Sequence, residues 1–358
     1  MNSTTDNPKV TVIIPAYCAT GHLHVSVDSL KKQTLKDFEA IIVEDCSPDD
    51  GATLRAAEKI TVQDARFHVA RTPVNSGCGP ARNIGIEIAR GEYIAFLDSD
   101  DALAPEALEN LYAVAKKHDA DEVCYAMEQH YPGGHIANHR QDAKEVVYTD
   151  PHEIKEFTLS TLSPSFEPGR KRYPGFTNSR FYRRSLLLEH NVRFPAQHHF
   201  LSEDFPFVYE SMRHVRTFVF LYNSYYHYTI SEGSITRNPR EDMIERAVAS
   251  ALFFADMVRN DPDAPAVGVH NAWGYAIDAV RSYLKIMFMS DRSLGFKRAW
   301  MRKQAELPLF RTIYEEYPWR RMPRRHRLGF IFFYRKRFLL LYILIVGQEK
   351  FRKLFGRL

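Results

Sequence analysis

Only four cysteines occur in 358 residues (Cys18, Cys46, Cys78 and Cys124). They show no CxxC spacing and none of the density of a disulfide-stapled secreted domain, so a reducing, cytoplasmic compartment is expected. Long hydrophobic runs are also missing. Phe338 to Val346 holds nine apolar residues, and Arg335-Lys336-Arg337 stands in front of it. A spanning helix needs about twenty apolar residues, so none is expected here. Met1 to Lys9 is polar, without the apolar core of a signal peptide. No internal repeat or low-complexity tract is present, which excludes solenoid and fibrous architectures. What remains is 45% hydrophobic and 13% aromatic residues, enough for one large domain or two modest ones.

The net charge of +4 conceals an asymmetry. Pro318 to Leu358 carries twelve Lys and Arg against one acid, Glu349, a net of +11. That leaves 36 basic and 43 acidic side chains before it, a net of −7. The basic tail is a feature separate from the rest.

The N-terminal half alternates strands with helices. Val10 to Ile14 is β-branched and ends at Pro15; Leu23, Val27 and Leu30 then recur at helical spacing. Strands follow at Phe38 to Val43, around Phe67-His68-Val69, at Glu92 to Leu97 and at Glu122 to Tyr125. Helices are expected through Leu54 to Ile60, within Gly77 to Ala89 and over Pro105 to Lys117. This order predicts an α/β fold with a doubly wound, mainly parallel sheet.

In such sheets ligands bind beyond the carboxyl ends of the strands. Pro15-Ala16-Tyr17, Glu44-Asp45 and Asp98-Ser99-Asp100-Asp101 all fall there. Three carboxylates within four residues repel one another unless a cation or hydrogen-bond donors offset them. An oxygen-only donor set suits Mg²⁺ or Mn²⁺. The competing reading, a solvated acidic turn, loses ground because three polar clusters share one sheet edge.

Beyond about Gly133 the pattern loosens. Thr149-Asp150-Pro151-His152-Glu153 is a helix start. Ser163 to Thr177 reads as a long loop, either a binding lid or a linker. Short helices are expected at Ser185 to Asn191 and at Phe205 to Met212, the latter just after Ser202-Glu203-Asp204. Phe218 to Tyr228 is strand-like and Ser231 to Asn238 a polar loop. Asp242 to Val258 and Trp273 to Met289 are packing helices.

Several of these stretches, in this order, resemble family 2 glycosyltransferases of the GT-A fold, of the bacterial surface-polysaccharide type. They are Val10 to Tyr17, Asp28-Ser29-Leu30 with Gln33-Thr34, and Ile41 to Ser47. Asn75-Ser76-Gly77, Ala81 to Gly85, Gly91 to Ile94 and the Asp98 to Asp101 cluster follow, then Asn191 to Pro195, Glu203-Asp204 and Gly233 to Thr236. The resemblance covers roughly residues 9 to 238 and is strongest before residue 126.

What it implies is inverting transfer of a sugar from a nucleotide donor, UDP by expectation, to a glycan or lipid-linked acceptor. Pro15, Ala16 and Tyr17 then line the base and ribose pocket, and Asp45 matches the acceptor of the uracil N–H. Asp100 matches the main ligand of Mn²⁺ or Mg²⁺, and Asp98 the acid on ribose or metal-bound water. Asp204 matches the general base, with Glu203 the runner-up. Arg82 pairs either with the donor or with an acid on its own face. His227 either reaches the metal or diphosphate or is a buried, hydrogen-bonded histidine. Three positions depart from the pattern. Cys46 replaces a usual Gly and Glu44 a common Asp or Asn. Thr229 stands where Arg often follows, leaving Arg237 as a substitute for phosphate.

The expected division is a nucleotide-sugar-binding half (1–126), an acceptor-binding half (127–240), a helical extension (241–317) and a basic, apolar tail (318–358). Interleaved Arg and apolar groups in the tail suit the headgroup region of an anionic membrane, so a peripheral enzyme on the inner face of the cell membrane is expected. A helix packed on the protein is the competing reading, and the Leu/Ile run has no use on nucleic acid. A catalytically silent membrane-bound module holding a sugar nucleotide or partner enzyme is the alternative to an active transferase.

Overall fold

The computed structural model describes residues 7–140, 142, 144–161, 175–195, 201–230, 240–264 and 267–355. Described residues within Met1–Thr158, Pro174–His198 and Glu203–Ser231 form one compact unit. Those within Leu159–Tyr173, His199–Ser202 and Glu232–Leu358 form a second.

The first unit is built on strands β1 (Val10–Ala16), β2 (Phe38–Glu44), β3 (Phe67–Arg71), β4 (Tyr93–Phe96), β5 (Ala102–Leu103), β6 (Glu122–His130), β7 (Ile136–Ala137), β8 (Glu145–Tyr148), β9 (Arg180–Arg183) and β10 (Phe218–Thr229). They form one sheet in the order β3-β2-β1-β4-β9-β6-β10-β5, with β7 on β6 and β8 on β10. β3, β2, β1 and β4 are parallel neighbours. β9 inserts antiparallel between β4 and β6, and β6 pairs with β10 in parallel. The six long-connection strands therefore run one way, as the alternating pattern predicts.

Helices α1 (Leu23–Lys31), α2 (Ala52–Gln63), α3 (Cys78–Ile88), α4 (Ala107–His118), α5 (Pro151–Thr161), α6 (Arg184–Glu189) and α7 (Asp204–Met212) connect the strands. Strands β1, β2 and β4 are buried along their whole length, so their sequences read as continuous apolar runs. α3 lies very close to β1: a Cβ on Gly85 would sit 2.4 Å from Ile13 Cγ2. The polar positions inside this core are paired. Glu39 accepts from Thr11 (2.7 Å), the Arg90 amide (2.7 Å) and the Arg90 guanidinium (2.6 Å).

The second unit is helical: α8 (Met243–Arg259), α9 (Val267–Met289), α10 (Leu294–Gln304), α11 (Leu309–Glu316), α12 (Arg324–Tyr334) and α13 (Phe338–Phe355). α12 and α13 break at Arg335-Lys336-Arg337, where Lys336 takes φ 55°. Phe333 packs on Phe310 (4.9 Å between ring centres) and Phe338 on Phe288 (5.6 Å). The competing reading of the tail as packed helix is thus met on one face. Leu339, Leu340, Ile343 and Phe351 remain exposed on α13. No helix among the described residues is long and apolar enough to cross a membrane.

Three differences from the sequence reading matter. β9 was not expected, because Arg180-Phe181-Tyr182-Arg183 has neither strand length nor alternation. β6 runs on to His130, five residues past the expected end, because its polar residues pair with one another. α2 and α9 both start earlier than their apolar spacing suggests.

Candidate active site

The carboxyl ends of β1, β2 and β4 bring the predicted clusters to one edge of the sheet. Pro15 and Ala16 are buried at the end of β1, and Tyr17 is 45% exposed beyond it. The Asp45 amide donates to the Ala16 carbonyl (2.9 Å), which fixes the β1 and β2 ends together. Asp45 itself is buried. Its Oδ1 accepts from Thr72 Oγ1 (2.8 Å) and the Ser76 amide (2.9 Å), and its Oδ2 from the Gly77 amide (2.7 Å). A carboxylate has about four acceptor positions, so one on Oδ2 remains for a ligand donor. Gly77 has φ 89°, a conformation that favours glycine and lets its amide turn onto Asp45.

Both oxygens of Glu44 have protein partners. Its Oε2 is 2.8 Å from Arg71 Nε and its Oε1 accepts from the Ser47 amide (2.6 Å). Burial opposes its charge, yet Ser47 and Arg71 together hold its carboxyl below the usual range. Directly after these acids, Cys46 takes φ 50°, in the left-handed region. This accounts for a glycine being usual there.

The four-residue acidic cluster divides its labour. Asp98 Oδ1 accepts from Arg82 Nη2 (2.7 Å) and Oδ2 from Asn178 Nδ2 (2.7 Å). Asp101 turns inward: Tyr226 Oη donates to its Oδ2 (2.6 Å) and the Thr229 amide to its Oδ1 (2.7 Å). Burial, reinforced by Asp98, pushes the Asp101 carboxyl up to about 8. Ser99 meets His22 Nε2 at 3.1 Å. Asp100 is the member whose carboxylate takes no side-chain partner among the described residues. Burial first, then Asp98, pushes its carboxyl above the usual range. A divalent cation would reverse that penalty, so the residues present fit one.

Arg82 gathers the rest. Its guanidinium is 4% exposed, 2.7 Å from Asp98 and 3.4 Å from Asp204, and it also reaches Asn178 Oδ1 at 3.3 Å. Phe96 and Phe194 flank it, with ring centres at 5.8 and 5.3 Å. Arg82 therefore makes ion pairs with two acids of the cluster, Asp98 and Asp204. Asp204 opens α7, and its Oδ1 also accepts from Thr177 Oγ1 (2.6 Å). Its Oδ2 carries no protein hydrogen bond among the described residues. Burial raises its carboxyl above the usual range, against the lowering by Arg82 and Thr177. Glu203 lies against α3, where a Cβ on Gly79 would come within 2.0 Å of its Oε2.

His227 has left this cluster. It follows Tyr226 on β10, so the two side chains leave opposite faces of the sheet. Its Nε2 lies 3.2 Å from Glu128. Burial pushes its imidazole below the ordinary histidine value. Arg237 lies outside the described residues. Sequence reasoning missed Thr177, Asn178 and Tyr226, which hold Asp204, Asp98 and Asp101. The faint signal was a short polar Thr-Asn-Ser turn opening onto an aromatic pair.

The sequence profile of glycosyl transferase family 2 matches residues 11–220. EpsH of Bacillus subtilis (strain 168), assigned to the glycosyltransferases, is 31% identical over 246 residues, 68% of this chain and 67% of EpsH. TarS of Staphylococcus aureus, a poly(ribitol-phosphate) beta-N-acetylglucosaminyltransferase, is 28% identical over 193 residues, 53% of this chain and 30% of TarS. The structure of TarS residues 1–349 with UDP-GlcNAc superposes at a TM-score of 0.60 and 20% identity, covering 96% of this chain and 92% of that one. A mannosyltransferase from Pyrobaculum calidifontis, in complex with GDP-Man and Mn²⁺, reaches 0.50 at 16% identity, covering 99% and 89%. These neighbours share the fold. The profile match covers more than half of the chain, and with EpsH it makes this protein a glycosyltransferase and a member of glycosyl transferase family 2.

Proposed function

We propose that the protein is an inverting transferase that moves a sugar from a UDP-sugar to a hydroxyl of a glycan or lipid-linked acceptor during assembly of a bacterial surface polysaccharide. The observation that carries this reading is the single guanidinium of Arg82 joining Asp98, beside Asp100, to Asp204. It sets an acid-rich donor edge next to a carboxylate with an open oxygen.

Asp204 Oδ2 would take the proton of the acceptor hydroxyl as that oxygen attacks the anomeric carbon from the face opposite the diphosphate. Its buried setting raises its basicity, while Arg82 and Thr177 keep it oriented and ionised. Asp45 and the Pro15-Ala16-Tyr17 end of β1 would receive uracil and ribose. Asp100, with Asp98 supporting it, would hold Mn²⁺ or Mg²⁺. When bound, such an ion neutralises the diphosphate and eases its departure. The Mn²⁺ complex of the Pyrobaculum enzyme and the UDP-GlcNAc complex of TarS support the donor and metal classes. The poly(ribitol-phosphate) activity in TarS's name supports a surface-polymer acceptor.

The tail would hold the enzyme on the inner face of the membrane. Exposed Leu339, Leu340 and Ile343 on α13 adjoin exposed Arg335 and Arg337. Each such cation is worth about 1 kcal/mol at an anionic surface.

A panel of UDP-sugars, with and without EDTA, tests the donor side. One sugar should raise the melting temperature and turn over only with a divalent ion; turnover undiminished by EDTA overturns the metal. Flotation with anionic vesicles tests the tail. Full-length protein should float and a chain ending near Tyr317 should not.

A further inference from the structure

Three histidines surround one buried carboxylate on the face of the sheet away from the Asp98 to Asp101 cluster. β6 and β10 run in parallel with His227 opposite Glu128 and Thr229 opposite His130. Side chains two apart on a strand share a face, so Glu128, His130 and His227 project together. The Glu128 side chain is 4% exposed. His130 Nε2 lies 2.6 Å and His227 Nε2 3.2 Å from the same oxygen, Oε1. The two imidazoles stack, with centres 4.7 Å apart and planes at 24°. His139 Nδ1 bonds the other oxygen, Oε2.

This is more than a satisfied acid. Two imidazole nitrogens converge on Oε1, which places two nitrogen ligands beside one carboxylate oxygen. The donor atoms of Glu128, His130 and His227 all lie within 4.8 Å of one another. A four-coordinate ion bound at about 2.0–2.2 Å holds its ligands roughly 3.3–3.6 Å apart, so His130 Nε2 and His227 Nε2, now 2.6 and 3.2 Å from Oε1, would open outward by under about 1 Å to admit it. His130 is 34% exposed and His139 50%, which leaves a path from solvent. Two imidazoles and a carboxylate select a borderline ion such as Zn²⁺, where Asp100 offers only oxygen to a hard one.

We infer that Glu128, His130 and His227 form a second metal site, of the Zn²⁺ class, distinct from the donor-site ion. His139 orients the carboxylate from outside, as a second partner of a ligand commonly does. The site clamps the ends of β6 and β10. The Thr229 amide that donates to Asp101 lies two residues beyond His227, so the ion braces the strand on which the acidic cluster rests.

The test is Zn²⁺ titration of the full-length, metal-stripped protein against a chromophoric chelator near neutral pH. One equivalent should bind with micromolar or tighter affinity, and Asp100→Ala should leave it unchanged. His227→Gln and Glu128→Gln should each weaken it on the order of a hundredfold. The more exposed His130→Gln should do the same should either of those variants fail to fold. Zn²⁺ should raise the melting temperature of the parent and not of these variants. No uptake by the parent, loss of the site in Asp100→Ala, or parent-like affinity in His130→Gln each overturns the proposal.

Discussion

Two buried arginines in the same sheet unit make a natural comparison. Arg180 and Arg82 are 0% and 4% exposed, and each lies among phenylalanine rings. Arg180 pairs with Glu122, itself 1% exposed, and Ser211 Oγ donates to the second carboxylate oxygen at 3.0 Å. That pair is closed. Arg82 instead pairs with carboxylates that reach solvent, Asp98 at 34% and Asp204 at 20%. The same chemistry is thus sealed on both sides at Arg180 and open to solvent on one side at Arg82, where the proposed reaction would take place.

The largest effect falls on the open side. Asp100→Ala removes the carboxylate that no side chain among the described residues holds, so transfer should drop below detection while the fold persists. Circular dichroism and a turnover assay separate the two. Full activity in this variant would remove Asp100 from the donor site.

Next comes the closed side. Arg180→Met leaves Glu122 buried without its cation, a change that costs about 3–5 kcal/mol. Burial already raises the Glu122 carboxyl, with Arg180 opposing that rise. The folded state of the variant therefore holds a proton that the unfolded state releases above its ordinary value. Its stability should fall as the pH rises from that value and recover as the pH drops. Denaturant melts across pH read this directly, and activity per folded molecule should be preserved. A pH-independent loss would mean that the pair is not what holds this part of the sheet.

The two arginines also differ in how far the sequence foretold them. Arg82 was named because it sits in a familiar order of motifs, as were Asp45, Asp98, Asp100 and Asp204. Arg180 was not, because its strand is four residues long and its partner Glu122 lies 58 positions away. Asn178, Thr177 and Tyr226 escaped for the same reason. They act through hydrogen bonds made only when β9 inserts between β4 and β6 and β10 closes beside β6. Most of the parallel half of the sheet was legible because β1, β2 and β4 are buried along their whole length and read as continuous apolar runs. The Glu128 and His227 pairing was hidden by polar residues that end a strand only when they lack partners.

A smaller effect sharpens the role of the open partner. Asp204→Asn keeps the shape but cannot accept a proton, so turnover should fall on the order of a hundredfold with donor affinity little changed. As a base, Asp204 must be ionised, and its raised carboxyl should place the acid limb of kcat/KM above the ordinary 3.8. Arg82 lowers that value, so Arg82→Gln should move the limb to higher pH. A limb that stays in place would assign proton acceptance to another group, Glu203 first.

The smallest effect asks whether the open edge stores strain that the closed pair does not. Cys46, between Asp45 and Ser47, has φ 50°. A side chain in that region costs roughly 1–2 kcal/mol in the folded state. Glycine removes this cost but returns about 0.5–1 kcal/mol of backbone freedom to the unfolded chain. The net for Cys46→Gly is a gain of about 0.5–1 kcal/mol, read as a higher urea midpoint at unchanged slope. A destabilised glycine variant would show that the cysteine's own contacts, among them Arg71 Nη2 at 3.9 Å from its Sγ, outweigh the strain.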